Sequence, residues 1–183
     1  QKKMRVFVAV GISQKAKDEI RKIQEQLPKF DGKLTEKENL HLTLKFLGEV
    51  SNENIEEVKK RLGEIRFNKF ETEINHLGFF DNSKSEPYNR KLIVWLHLTN
   101  CEELQSKIDG ALSGLFDVEK RFMSHLTIAR VKNVENKKEF LDKLEKIKIN
   151  KIKFDVKDFK LKKSILTPEG PIHENLEIYP LEQ

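Results

Sequence analysis

The stretches "HLTLKFLG", His41 to Gly48, and "HLTIARVK", His125 to Lys132, decide how this 183-residue chain folds. Only five histidines are present, yet His-Leu-Thr-aliphatic is written in matching contexts at these two places. Before the first copy, "RVFVAVGI" (Arg5 to Ile12) is a β-branched, aromatic run of strand length. "SQKAKDEIRKIQEQL" follows, with a cap at Ser13 and with Ile20, Ile23 and Leu27 at helical spacing. After "LHLTLKFLG" comes "SNENIEEVKKRLGEI", a helix carrying Ile55, Val58, Leu62 and Ile65 on one stripe, and then the strand-like "KFETEINHLGFF".

The second half runs in the same order. "KLIVWLHL" (Lys91 to Leu98) reads as strand, "CEELQSKIDGALSGLF" (Cys101 to Phe116) as helix and "HLTIARV" as strand. "ENKKEFLDKLEKI" is a helix with Phe140, Leu141, Leu144 and Ile147 on its stripe, and "KIKFDVKDFKLK" is a strand alternating Ile152, Phe154 and Val156 against charge. Phe70 and Phe154 each follow their histidine by 29 residues. The unit therefore spans about residues 5–80 and again 91–163, with the turn cluster "DNSKSEPYNR" (Asp81 to Arg90) between the copies as a mobile loop or lobe boundary. Beyond it, "SILTPEGPIHENLEIYPLEQ" predicts a hairpin over 164–181 turning at Pro168 to Pro171. Each copy is too small to bury its own face well, so the two are expected to pack into one bilobal domain over 4–183. Met4 reads as the natural initiator, with Gln1, Lys2 and Lys3 as additions.

Composition narrows the function classes. No apolar run approaches the roughly 20 residues that span a bilayer, and no secretory stretch opens the chain, so a soluble, cytoplasmic protein with no membrane partner is expected. Cys101 is the single cysteine, which excludes an internal disulfide and a CxxC metal or redox site. The net charge of +5 permits an anionic partner. The 36% of charged residues fit surface ion pairing at high growth temperature or an ordinary solvated surface. The lysines from Lys146 to Lys163 alternate with apolar residues, as one exposed sheet face or an RNA-docking face does.

On a strand, His41 and Thr43 point to one face and Leu42 and Leu44 to the other; His125 and Thr127 stand likewise opposite Leu126 and Ile128. Related by an approximate two-fold axis, the polar pairs would share one groove, offering two imidazoles and two hydroxyls around a single point. A phosphodiester suits that point, because one histidine can take a proton from water while the other protonates the leaving oxygen, and hydroxyls can hold the non-bridging oxygens. The scheme calls for no metal and no cofactor. Arg130 can add a forked cation, but strict alternation places it on the face opposite His125, so its role requires a bulge, a twist or a strand end. Lys45, in phase with His41 and Thr43, is a second candidate phosphate contact. Phe46, at the position matching Arg130, is a candidate core residue or an aromatic wall for base or ribose. A third "HLT", at His97 to Thr99, sits at the wrong place in the repeat and is read as structural; His76 and His173 are read as packing or surface residues, with substrate contact open for His173.

With these residues in hand, the chain resembles the two-histidine (2H) phosphoesterase superfamily. Its "MRVFVAV" start and "SILTPEGPIHENL" tail resemble the RNA 2′,3′-cyclic phosphodiesterase branch, also called 2′-5′ RNA ligase. The resemblance implies an α+β, bilobal structure with a pseudo-two-fold duplicated unit, two antiparallel sheets flanking a central cleft, and helices outside. It implies hydrolysis of a 2′,3′-cyclic phosphate at an RNA 3′ end, tRNA fragments included, to a 2′-phosphate. His41 is then the proton donor, His125 the acceptor, and Thr43, Thr127 and Arg130 the phosphate grip; a monomer is expected. Two positions depart from the pattern: Ser124 stands where relatives often have proline, and His173 where they carry an aromatic residue. The alternatives are a ligase that uses a 5′-hydroxyl in place of water, and a binding domain without turnover.

Overall fold

The computed structural model describes residues 2–82 and 92–183. The first half forms β1 (Lys3–Gly11), α1 (Gln14–Glu25), the short β2 (Asp31–Leu34), β3 (His41–Ser51), α2 (Asn52–Gly63) and β4 (Phe70–Asp81). The second forms β5 (Leu92–Leu98), α3 (Glu102–Ala111), β6 (His125–Asn133), α4 (Lys137–Glu145), β7 (Ile152–Val156), β8 (Asp158–Thr167) and β9 (Gly170–Pro180). Positions 83–91, holding most of the turn cluster and Lys91, lie outside the described residues.

Local chemistry starts the helices where the sequence predicts. The side chains of Ser13, Ser51 and Asn136 accept hydrogen bonds from Ala16, Asn54 and Glu139, each three residues on, as N-caps do. The apolar stripes face inward: Ile20 and Ile23, Ile55, Val58 and Leu62, Leu104 and Ile108, and Phe140 and Leu144 are all buried. The third helix is shorter than expected and stops at Ala111 rather than running to Phe116, because the chain turns through Gly114 at a φ of 89°.

Two antiparallel sheets result, one in the order β3-β1-β8-β9 and the other β2-β6-β5-β4-β7. Each half gives its third strand away. β4, from the first half, pairs with β5 of the second; β8, from the second, pairs with β1 of the first. The duplicated unit is thus β3-β1-β8 in one sheet and β6-β5-β4 in the other, and neither half can close its sheet alone. This exchange overturns the reading of "KIKFDVKDFKLK" as one strand. The chain breaks at Lys157 into β7 and β8, which belong to different sheets, so Phe154 is not the structural counterpart of Phe70.

Alternation along β5 leaves Leu92, Val94, Leu96 and Leu98 in the core and Ile93, Trp95 and His97 half-buried on the opposite face. The expected terminal hairpin is formed by β8 and β9, closing at Thr167 and Gly170. Its tip reaches the other sheet: Lys33 of β2 donates to the Glu169 carbonyl, and Asn39 Nδ2 donates to the Pro171 carbonyl at 3.1 Å. Among the described residues no helix is long and apolar enough to cross a membrane.

Candidate active site

His41 opens β3 and His125 opens β6. Both rings are fixed by the same device. Nδ1 of His41 lies 2.6 Å from the carbonyl of Asn39, and Nδ1 of His125 lies 2.8 Å from the carbonyl of Met123, each two residues back. A carbonyl only accepts, so Nδ1 carries the proton and Nε2 of each neutral ring is left with its lone pair. Thr43 Oγ1 stands 2.9 Å from Nε2 of His41.

The register of the two motif strands slips just past the threonines. Gly11 faces His41 and Ala9 faces Thr43, but Val8 faces Lys45, so Leu44 is skipped. His97 faces His125 and Trp95 faces Thr127, but Val94 faces Ala129, so Ile128 is skipped. The two halves carry a β-bulge at the same place, and the extra residue shifts the phase of the residues that follow, up to a second slip at Leu47 in β3. Arg130 is thereby brought to the face of His125 and Thr127, which strict alternation denied it, and Phe46 to the face of His41 and Thr43, where it is 71% exposed.

The same shift moves Lys45 the other way. It was expected in phase with His41, yet it is buried, with Nζ 2.6 Å from Asp109 Oδ1 and 2.6 Å from the Asp117 carbonyl. Its counterpart in the second half is Ala129, and there a buried polar side chain of α1 binds the bulge instead. Gln24 Nε2 donates to the carbonyls of Ile128 and Thr35, both at 2.9 Å, and the Thr35 hydroxyl donates to the Thr127 carbonyl at 2.9 Å. Each bulge is thus pinned by a side chain from a helix of the opposite half, α3 at β3 and α1 at β6. An unsatisfied carbonyl at the bulge would otherwise cost about 1–3 kcal/mol.

Around His41 the structure gathers residues that local sequence patterns do not mark. Its ring centroid lies 5.1 Å from Phe7 and 5.2 Å from His173, and Phe7 lies 5.0 Å from His173 and 6.2 Å from Phe46. Lys162 on β8 pairs with Phe7 on β1 and so shares its face. No local signal marks Lys162 or Phe7; their place depends on a strand more than 150 residues away in sequence. Burial first, and then the neighbouring His173, Lys162 and Arg130, bring the His41 imidazole down to about 4 against the pull of the Asn39 carbonyl. Arg130 belongs to the second motif and is the last of the charges that lower the first histidine. His173 and Lys162 are themselves lowered, first by burial and then by neighbouring lysines.

This predicts a pH signature. With the folded value below the ordinary 6.5, the unfolded chain takes up the proton first, so stability is complete above about pH 6.5, falls on acidification towards pH 4 and levels off below it. The loss from this group is roughly 3 kcal/mol at most. NMR titration of the His41 ring should show a midpoint near 4 that rises when inorganic phosphate binds; a free-protein midpoint near 6.5 contradicts it.

The family model for LigT-like phosphoesterases matches residues 10–88 and 98–173. The chain belongs to this family. Among curated relatives, the RNA 2′,3′-cyclic phosphodiesterase of Methanocaldococcus jannaschii is 41% identical over 173 residues, covering 93% of this chain and 97% of the relative. That of Archaeoglobus fulgidus is 35% identical over 182 residues, covering 96% and 99%. Escherichia coli LigT, solved with 3′-AMP, superposes with a TM-score of 0.78 at 23% identity over the whole of both chains, which speaks for the LigT fold alone. Within that family fold, among the described residues no three His, Cys, Asp or Glu side chains gather as a metal would require.

Proposed function

We propose that the protein is an RNA 2′,3′-cyclic phosphodiesterase that opens the ring to a 2′-phosphate by paired histidine catalysis. What supports this reading is that both His-x-Thr motifs open a strand with the ring held at Nδ1 by a carbonyl two residues back, in a chain whose curated relatives are named RNA 2′,3′-cyclic phosphodiesterases. Water attacks phosphorus while Nε2 of His125 takes its proton; the bond from phosphorus to O3′ breaks, and Nε2 of His41 delivers a proton to O3′. Thr43, Thr127 and Arg130 hold the non-bridging oxygens as charge builds on them. Phe46, exposed beside Phe7, is a wall for the terminal base or ribose.

The depressed His41 gives the donor role a condition. In the empty cleft its Nε2 is unprotonated at neutral pH, and the anionic phosphate, by offsetting Lys162, Arg130 and His173, draws the proton on. The acid is therefore charged by the substrate it serves.

EDTA-treated protein should turn over an oligonucleotide ending in a 2′,3′-cyclic phosphate at an unchanged rate, with product mapping placing phosphate on the 2′ oxygen. A strict requirement for added metal, or a 3′-phosphate product, overturns the scheme. tRNA halves with a 5′-hydroxyl partner present test ligation in the same assay; the monomer, working in the cytoplasm on such RNA ends, is expected to yield mainly hydrolysed product.

A further inference from the structure

The pseudo-two-fold relation fails where the two cleft walls meet their third strands. Ala9 and Phe7 face Lys160 and Lys162 on β8, whereas at the matching places Trp95 and Ile93 face Gly78 and Phe80 on β4. One wall is basic. The other is a run of rings starting at the second histidine. The Phe80 centroid lies 5.1 Å from His125 and 5.4 Å from Trp95; His76 lies 5.7 Å from Trp95 and stacks on His97 at 4.8 Å with 21° between planes. Gly78 lets the indole lie against the sheet, since a Cβ there would come within 2.3 Å of the Trp95 ring. Asn75 Oδ1 holds the far end, 2.8 Å from His97 Nδ1 and 3.1 Å from His76 Nδ1.

Phe80 and Trp95 both lie against His125, the latter at 6.5 Å. The His76–His97 pair lies in line with His125 across the three strands, with Trp95 beside it, and His76 is exposed. The rings meet edge-to-face or tilted except for the stacked His76–His97 pair, so each turns a face in its own direction. Aromatic rings beside a basic wall are how proteins hold single-stranded nucleic acid, because every base has a face to stack and every linkage a charge to neutralise. We propose that Trp95 and the His76–His97 pair stack the base of the nucleotide 5′ to the cyclic phosphate, with its phosphate turned towards Lys160 and Lys162, so that the substrate class is single-stranded RNA of at least two nucleotides. This rests on the phosphodiesterase reading. The chemistry fits because the platform is continuous with His125, and the occupant is then the substrate's own next residue. Lys160 and Lys162 share one face of β8, with Asp158 3.8 Å from the Lys160 ammonium; burial first, and then the crowding of these lysines, lowers Lys17 and Lys162.

The test compares kcat/KM for a nucleoside 2′,3′-cyclic phosphate and for a dinucleotide ending in the same group. The dinucleotide is expected to be favoured about tenfold or more, the scale of one stacked base. Trp95→Ala and, separately, the surface change His76→Ala should each shrink that ratio. Trp95 is the only tryptophan, so its fluorescence reports the platform directly: a dinucleotide carrying a 3′-terminal phosphate should quench it in wild type and less in His76→Ala. Equal kcat/KM for the two substrates in wild type, or fluorescence unmoved at saturating dinucleotide, overturns the proposal while leaving the phosphodiesterase reading intact. Quenching by the dinucleotide with no hydrolysis of either substrate supports the platform and removes the hydrolytic reading instead.

Discussion

His41→Ala and His125→Ala should each lower kcat/KM for a 2′,3′-cyclic phosphate by about 10²–10⁴-fold, the scale on which a general acid or base acts. Each ring is held at Nδ1 by a backbone carbonyl, so alanine removes a single aimed nitrogen while the strand and its threonine stay in place. The double variant should cost little more than the worse single one, because acid and base serve one displacement and their losses do not add. Residual turnover would come from the threonines and Arg130. The two roles separate on a substrate with sulfur in the 3′ bridging position, whose thiolate leaves without a proton. It should restore His41→Ala and leave His125→Ala impaired. Near-wild-type turnover in both variants, or restoration of the wrong one, removes the assignment.

How far the sequence displays this site depends on where alternation holds. The paired His-x-Thr pattern and the helical stripes were legible because each is local: caps and apolar residues recur within one or two turns, and Ser13, Ile20, Ile55 and Phe140 sit as their spacing predicts. The bulges are legible only in hindsight, as two adjacent buried positions that interrupt the alternation. In β6 the buried residues run Leu126, Ile128, Ala129, Val131, and the slip is written in apolar letters. In β3 they run Leu42, Leu44, Lys45, Leu47, and the charge of Lys45 disguises the same slip as continued alternation. A different irregularity, a step of three from Val156 to Phe159, marks the break between β7 and β8. What no spacing reveals is the exchange of third strands. Lys162 and His173 come beside His41 only because β8 and β9 extend the sheet of the first half, and a pairing across so much sequence leaves no periodic trace.

Asp109→Ala should destabilise the protein by about 3–5 kcal/mol, the cost of leaving one partner of a buried ion pair alone. Lys45 is 3% exposed and Asp109 6%, and Asp109 also accepts from the backbone of Glu119 at 2.9 Å, so the alanine leaves an ammonium with only the Asp117 carbonyl and orphans a second donor. For a chain of this length the melting temperature should fall by roughly 10 °C. The double change Lys45→Met with Asp109→Leu should recover most of that loss, since replacing both charges by apolar groups removes the desolvation penalty along with the attraction. Activity separates structure from chemistry here. Lys45 lies between Thr43 and Phe46 but faces away from them, so if the pair only pins the bulge, the double variant should keep turnover within a few fold wherever it stays folded. A stable double variant that lost turnover as His41→Ala does would return Lys45 to the phosphate and require a different register for β3.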